Sequence, residues 1–378
     1  MHAPSFTRLI RGGGISAVAL LLASQIPGQA PPGAGDLAEN IAPEGPSTLT
    51  LAYGDAHHLA VGSSHLGITI PFHCGSDGTI QFVGLSFSPP QLDFTAALYF
   101  LKVSDSISYV RFDAAAPDLR QVTPTQQFAA SGSRVVWLVN AITSDEEIND
   151  KRTKPHPFLL FFDLKGTVLR ATPLSLPFTV GSIGLFDSGE VLLIGSTAFD
   201  SHQHWMLMDE DGDFQRDLLT GWDDDAKQGT GIETIKSRSK SMSGLPQLVP
   251  YHGNFLLAET NSSHPIVEIN TSGIVKETEL NLPKGEDIGE FIPTDGRTWK
   301  LVLGHTNEKE ENGLPSGYLK LDKIGEFDPT TGELLKYIDA GKDHYPSSLA
   351  CEVGGEYLAI RTDPKDGSLV VEKGTPSH

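Results

Sequence analysis

The stretch "LFDSGEVLLIGS", Leu185–Ser196, contains an apolar strand, a turn with Gly189 and a second, strongly apolar strand. Glycine tolerates the positive φ that tight hairpin turns require. The same arrangement recurs along the chain at intervals of about 40 to 65 residues. The turn glycines are Gly78, Gly132, Gly189, Gly253, Gly296 and Gly355. The stretch is therefore one copy of a repeat built from β-hairpins.

A second hairpin pattern alternates with the first. It is an apolar strand that ends in Asp or Asn, followed by a short turn and another strand, which is ordinary turn chemistry. Two hairpins in each repeat give four strands, and no amphipathic helix lies between them. The sequence therefore predicts an all-β fold, a six-bladed β-propeller of four-stranded antiparallel blades. The second pattern occurs at Asp113, Asp163, Asp209, Asn270 and Asp328.

The two ends of the repeat region complement each other. After Gly355, "YLAIRT" and "SLVVEK" supply only the second and third strands of the last blade. "STLTLAYG", residues 47–54, lies upstream of the first blade and has no other partner. We therefore expect the N-terminal strand to complete the last blade and close the ring, which protects edges that would otherwise be open.

The pattern resembles the six-bladed β-propellers of the NHL and TolB-like kind. The resemblance rests on the "FDxxG" strand end of Phe162, Asp163 and Gly166 and on the "DSGEVLLI" hairpin of Ser188 and Gly189. It covers roughly residues 47–373 and is specific for architecture. It implies a broad range of activities, since the class includes lactonases, lyases, peptide-binding modules and scaffolds.

The N-terminus has the pattern of a secretory signal, with Arg8 and Arg11 before the apolar run "ISAVALLLAS". We expect residues 1–30 to be a removed signal peptide and residues 31–46 a flexible lead-in. Residues 47–373 then form one propeller domain, followed by a tail at 374–378. The predicted location is therefore the periplasm or the extracellular space, and no membrane span is expected after signal removal.

Charge narrows the range of partners. The formal net charge of −20 disfavours nucleic acid and anionic membranes as partners. A small molecule, a glycan or another protein remains open as the partner, and we expect a monomer.

Histidines are unevenly distributed over the predicted blades. Only His73 and His252 map to the end that carries the glycine turns. Most others map to loops that join the second and third strands of a blade or that join blades. Imidazoles converging there would suit a divalent metal or a general base, but scattered surface histidines would give the same pattern. The candidate ligands are His156, His204, His264, His305 and His344.

The longest insertion, residues 220–247, lies between the third and fourth blades. It runs from acidic to basic and is either a lid or partner-contact loop over the channel or a surface excursion. Its candidate contact residues are Trp222, Asp223, Asp224 and Asp225.

The two cysteines occupy matching places in the repeat. Cys74 and Cys351 each lie four residues before a turn glycine, on the first strands of the first and last blades. In a closed ring those blades are neighbours, so an exported protein favours a disulfide, and two buried thiols are the alternative.

The sequence is compatible with two functions. The first is a ligand-binding or protein-interaction module that uses the histidine-bearing loop face. The second is a lyase or hydrolase of lactone, sugar or peptide substrates, assisted by a divalent metal at the channel mouth. The regular repeat without a recognisable catalytic set favours the first, and the one-sided histidines favour the second.

Overall fold

The structure is a computed structural model of the chain. It describes residues 46–59, 65–68, 72–75, 78–88, 93–103, 107–132, 134–143, 154–196, 203–218, 246–259, 265–294, 297–306, 319–341, 344, 346–363 and 365–377. These residues belong to one unit, Gly45–His378. No helix in the described ranges combines the length and the apolar character needed to cross a bilayer.

The described chain begins with β1 (Ser47–Tyr53) and β2 (His57–Leu59), which pair with the C-terminal strand given below. The first sheet follows. Its strand order is β3-β5-β6-β7, β4 pairs with the edge of β5, and every pairing is antiparallel. Its strands are β3 (His65–Ile68), β4 (His73–Cys74), β5 (Thr79–Ser88), β6 (Asp93–Val103) and β7 (Ile107–Asp113).

The next three sheets are each four-stranded and antiparallel, with strands in chain order. The second sheet contains β8 (Leu119–Ser131), β9 (Arg134–Thr143), β10 (His156–Asp163) and β11 (Val168–Pro173). The third contains β12 (Thr179–Leu185), β13 (Val191–Ser196), β14 (Gln203–Met208) and β15 (Phe214–Asp217). The fourth contains β16 (Pro246–Tyr251), β17 (Asn254–Glu259), β18 (Ile266–Asn270) and β19 (Gly273–Thr278).

The last sheet is larger and has nine strands, in the order β20-β21-β22-β23-β1-β26-β25-β24 with β2 also on β26. A short 3-10 turn, Pro346–Ser348, separates its two halves in the sequence. Its first half contains β20 (Asp287–Ile292), β21 (Trp299–Thr306), β22 (Leu319–Phe327) and β23 (Leu334–Asp339). Its closing half contains β24 (Leu349–Val353), β25 (Glu356–Thr362) and β26 (Leu369–Ser377).

Strand β1 explains why this sheet is large. It pairs antiparallel with β26, with Leu51 opposite Pro376, so the predicted partnership of the N-terminal strand with the last strand is confirmed. Its other edge pairs in parallel with β23, with Leu49 opposite Ile338. The sequence predicted separate four-stranded blades throughout. The structure instead joins two groups of strands into one sheet, because β1 forms hydrogen bonds along both of its edges.

One hairpin assignment was wrong. Asp113 was expected to open the second hairpin of the first repeat, but it ends β7, the outer strand of the first sheet. The third strand of this sheet is the apolar β6, and β7 pairs with it as the fourth strand, with Ala97 opposite Asp113. Both strands are apolar and end in a polar residue, so composition alone did not separate them.

The core lies between sheets rather than inside any one of them. The fully buried Trp137 of the second sheet packs with Phe112 of the first, and Trp205 of the third packs with Phe255 of the fourth. Phe82 of the first sheet also packs with Ile360 of the closing strands. Successive sheets thus bury their faces against each other, which is a β-propeller-like arrangement of four-stranded antiparallel sheets.

The turns have the predicted chemistry where the structure describes them. Gly189 has a φ of 98°, and Gly78, Gly132, Gly253 and Gly355 also have positive φ values, from 33° to 86°. The Asp209 side chain accepts hydrogen bonds from the backbone N–H groups of Asp211 and Asp213, both at 2.9 Å. Gly296 lies outside the described residues.

The predicted disulfide is confirmed. Cys74 on β4 is bonded to Cys351 on β24, and their Cα atoms lie 5.8 Å apart. That separation is within the range that a disulfide bridges. The bond links the first sheet to the closing strands across 277 residues of sequence.

Candidate functional site

A cavity of about 810 Å³ opens at the end of the sheets that carries the glycine turns, here called the Gly-turn end. Segments from every sheet line it, and those at its mouth lie at or near turn glycines. This placement at the meeting point of all the sheets is where a propeller presents its channel. The segments at the mouth are His73–Gly75, Ala129–Gly132, Leu185–Asp187, Pro250–Phe255, Thr294 and Glu352–Val353.

Glu352 lines the cavity and belongs to a buried ion pair. The Lys300 ammonium lies 3.1 Å from the Glu352 carboxylate, and both side chains are almost fully buried. Lys300 also donates to the Thr298 hydroxyl at 2.9 Å, and Glu352 accepts from the Gly355 backbone N–H at 3.0 Å. These hydrogen bonds satisfy the two buried charges and fix the orientation of the carboxylate. The part of the wall at Glu352 is therefore polar but close to electrically neutral.

His73 contributes a neutral imidazole to the same cavity. Its ring packs against Phe128, with centroids 4.4 Å apart, and burial lowers its pKa to about 4. Burial disfavours the charged form of an imidazole, so His73 is uncharged at neutral pH. A neutral imidazole offers one hydrogen-bond donor and one acceptor, which suits a polar, uncharged group of a ligand.

The opposite side of the mouth is aromatic and polar. Tyr251 packs edge-on against His252 with centroids 4.4 Å apart, and burial raises the pKa of the Tyr251 hydroxyl. Nearby, the Ser131 hydroxyl donates to the Asp187 carboxylate at 2.5 Å. An added Cβ at Gly132 or Gly253 would meet nothing within 4 Å, so both glycines face open space.

Two of the histidines predicted from the sequence are engaged with protein partners. The His344 ring stacks on Tyr53 at 3.6 Å, and its Nε2 lies 3.0 Å from the Glu372 carboxylate, which also accepts from Arg361. His204 stacks on Phe178 at 4.9 Å. These contacts give both rings a structural role at the places the sequence assigned to them.

For the other residues, the predicted role in binding a metal or ligand stays a prediction. His156 and His305 are exposed, at the start of β10 and near the end of β21. Within the described ranges, no group of three or more His, Cys, Asp or Glu side chains is arranged to hold a metal ion. His264, Trp222, Asp223, Asp224 and Asp225 lie outside the described residues.

The cavity lies at the end of the sheets opposite to the one that the histidine count favoured. The signal for it was present in the sequence, because His73 and His252 were the two histidines assigned to the Gly-turn end and both line the cavity. The sequence assigns only two histidines to this end and more of them to the face with the longer loops. A count of histidines therefore favoured the other face.

Glu290 on β20 gives a pH test of the fold. Burial raises the pKa of its carboxyl from 4.5 to about 8. Between these values the unfolded chain has lost the proton that the folded protein keeps, so the free energy of unfolding should fall as pH rises from about 4.5 to about 8. Urea unfolding at several pH values measures this slope. Glu290→Gln should flatten it and raise stability above pH 8, and an unchanged slope in the variant would contradict the assignment.

No protein-family model matches the chain, and no curated protein matches it in sequence. Solved structures resemble it at low identity. They include a protein of unknown function from Dyadobacter fermentans DSM 18053, with 9% identity, a TM-score of 0.46, and coverage of 86% of this chain and 99% of that chain. A gluconolactonase from Xanthomonas campestris has 12% identity, a TM-score of 0.35, and coverage of 85% and 98%.

A dipeptidyl peptidase 4 from Porphyromonas gingivalis has 8% identity and a TM-score of 0.31, and the match covers 84% of this chain. This chain spans 57% of the length of that peptidase. At these similarities we assign no activity from the resemblance.

Proposed function

We propose that the protein is an exported ligand-binding β-propeller whose binding site is the cavity at the Gly-turn end. The observation that carries the proposal is the cavity itself, which is formed jointly by turn segments of all the sheets. Concave sites that combine apolar walls with a few fixed polar groups are the usual form of ligand pockets. His73 and Glu352 are such groups, because neighbouring residues hold both in place.

We further propose six blades of the NHL and TolB-like type. In this arrangement the large sheet contains two blades, β20–β23 and β24–β26 completed by β1. The support is the repeated pair of hairpins and the series of buried clusters between consecutive strand groups, the last of which packs Cys351 and Ile360 against the first sheet. Export to the periplasm or extracellular space is supported by the signal-like N-terminus and by the Cys74–Cys351 disulfide.

A substitution that covers the mouth tests the proposed site. Pro250 lines the cavity with an exposed side chain, so Pro250→Trp should obstruct entry. Leu169→Trp is the matched control, because Leu169 is 55% exposed on β11 and does not line the cavity. The probe is a panel of small carboxylates, amides, amines and sugars, read by saturation-transfer NMR.

We expect panel members that bind the unmodified protein to lose binding to Pro250→Trp by about tenfold or more and to keep binding to Leu169→Trp. The proposal is contradicted if no panel member binds the unmodified protein. It is equally contradicted if every binder keeps its affinity for Pro250→Trp.

A further inference from the structure

The cavity is not confined to the mouth. It continues between the first and second sheets as a cleft, which is defined by residues that share one face of the first sheet. His73 pairs with Gln81, Gln81 with Phe100, and Phe100 with Val110, so these four residues form one row across the sheet. All four line the cavity. Neighbouring strands lie about 4.8 Å apart, so the row spans about 14 Å from the mouth to the outer strand.

A second row lies nearer the Gly-turn end and is polar. Thr79 pairs with Lys102, and Lys102 pairs with Ser108, so an ammonium group stands between two hydroxyl-bearing positions. Lys102 is exposed and lines the cavity with both neighbours. Paired side chains on adjacent strands lie about 5 Å apart at Cβ, close enough to act on one ligand group.

The floor of the cleft is closed. One step deeper along the same strands come Val83, Leu98 and Phe112, which are fully or almost fully buried against the second sheet. Side chains on one face of a strand repeat every two residues, or about 7 Å, and the floor lies two such steps below the Lys102 row, so the cleft is about 13 Å deep. It is therefore a slot with a lysine at its rim and an apolar bottom.

The opposite wall explains why the slot is open. In strand β8, Phe128 packs on His73. The next residues on the same face, towards the Gly-turn end, are the small Ala130 and Gly132. These small residues leave the space above Phe128 unfilled. At the outer end, Val110 and Leu164 line the cavity from the two sheets, with 42% and 46% of their surfaces exposed. Exposed apolar side chains in a concave site favour an apolar ligand.

We propose that this cleft binds an elongated amphipathic monocarboxylate, with its carboxylate at Lys102 and its apolar body over Phe100 and Val110. The inference deepens the proposed function and rests on it. A single lysine between hydroxyls neutralises one negative charge, and charge-assisted hydrogen bonds to a carboxylate are strong. The protein carries a net charge of −20, which repels ligands with several negative charges. The lysine therefore favours one anionic group, and the net charge disfavours further ones.

Calorimetric titration with octanoate tests the proposal, with octanamide and octylammonium as the neutral and cationic partners of the same chain. We expect octanoate to bind best. Lys102→Met keeps most of the side-chain stem and should weaken octanoate about tenfold while leaving octanamide unchanged. Lys284→Met is the control, because Lys284 is exposed and does not line the cavity.

A second variant tests the apolar part of the cleft. Ala130→Leu fills the space above Phe128 and should abolish binding of octanoate and octanamide alike, while the protein stays at least as stable. The inference is overturned if octanoate binds equally to Lys102→Met, if octylammonium binds as tightly as octanoate, or if Ala130→Leu has no effect.

The outcomes separate this inference from the proposed function. If octanoate fails to bind, but panel ligands bind and are lost in Pro250→Trp, the cleft inference is wrong and the mouth stands as the binding site. If octanoate binding depends on Lys102 and the panel ligands ignore Pro250→Trp, the cleft is confirmed and the mouth proposal falls.

Discussion

Reduction of the Cys74–Cys351 bridge should lower the free energy of unfolding by about 5 kcal/mol, the largest single effect that we expect. The bond closes a loop of 277 residues, and in the chain-entropy description the restriction it places on the unfolded chain increases with loop length. The bond also joins the first sheet to the closing strands, so after its loss only non-covalent packing such as that of Phe82 on Ile360 holds them together.

The measurement is guanidinium unfolding with and without dithiothreitol, in the unmodified protein and in the Cys74→Ala, Cys351→Ala double variant. Alanine is preferred to serine because Cys351 is fully buried and a hydroxyl there would lack a partner. Dithiothreitol should destabilise the unmodified protein and leave the double variant unaffected. Two free thiols found by titrating the unfolded, unreduced protein would refute the bridge.

The disulfide also lies next to two residues of the proposed binding site. His73 precedes one cysteine and Glu352 follows the other, and both line the cavity. The covalent bond therefore fixes two polar groups of the wall relative to each other. We expect reduction to weaken ligand binding at concentrations of denaturant that leave the protein folded.

The second large effect is expected at Lys300. Lys300→Met should lower the free energy of unfolding by about 3 to 5 kcal/mol, because it leaves the buried Glu352 carboxylate without its counter-charge. The Lys300→Met, Glu352→Met double variant removes both charges from the interior and should recover most of that loss, since a buried ion pair is often replaceable by apolar side chains of similar volume.

Denaturant unfolding of the two single variants and the double variant forms a double-mutant cycle that isolates the pair. Lys323→Met is the matched control, because its ion pair with Glu286 is 49% exposed on the lysine side and should contribute little. A double variant as unstable as the worse single variant would show that packing around Lys300, rather than charge, determines the loss.

The sequence was most informative about the hairpins. Turn glycines such as Gly189 and Gly253 and turn acids such as Asp209 act locally, because they form hydrogen bonds or adopt φ values within a few residues. The matched positions of the cysteines extended this local information to the closure between the first sheet and the last strands. These predictions needed only the spacing of the repeat.

The sequence was least informative where two strands of the same character compete. Both edges of β1 form hydrogen bonds, and nothing in "STLTLAY" indicates that β23 would pair with its second edge. The cleft depends on absent volume at Ala130 and Gly132, which becomes visible only when the facing sheet is in place. The number of histidines on a face follows the length of its loops. The position of the cavity instead depends on how the sheets pack against one another.

A crystal structure of the protein soaked with the tightest-binding panel member tests the central claim most directly. We expect the ligand to lie at the Gly-turn end, in contact with the walls that carry His73, Tyr251 and Glu352. A ligand bound at the opposite end of the sheets, beside His156 or His305, with the Gly-turn cavity empty, would contradict it.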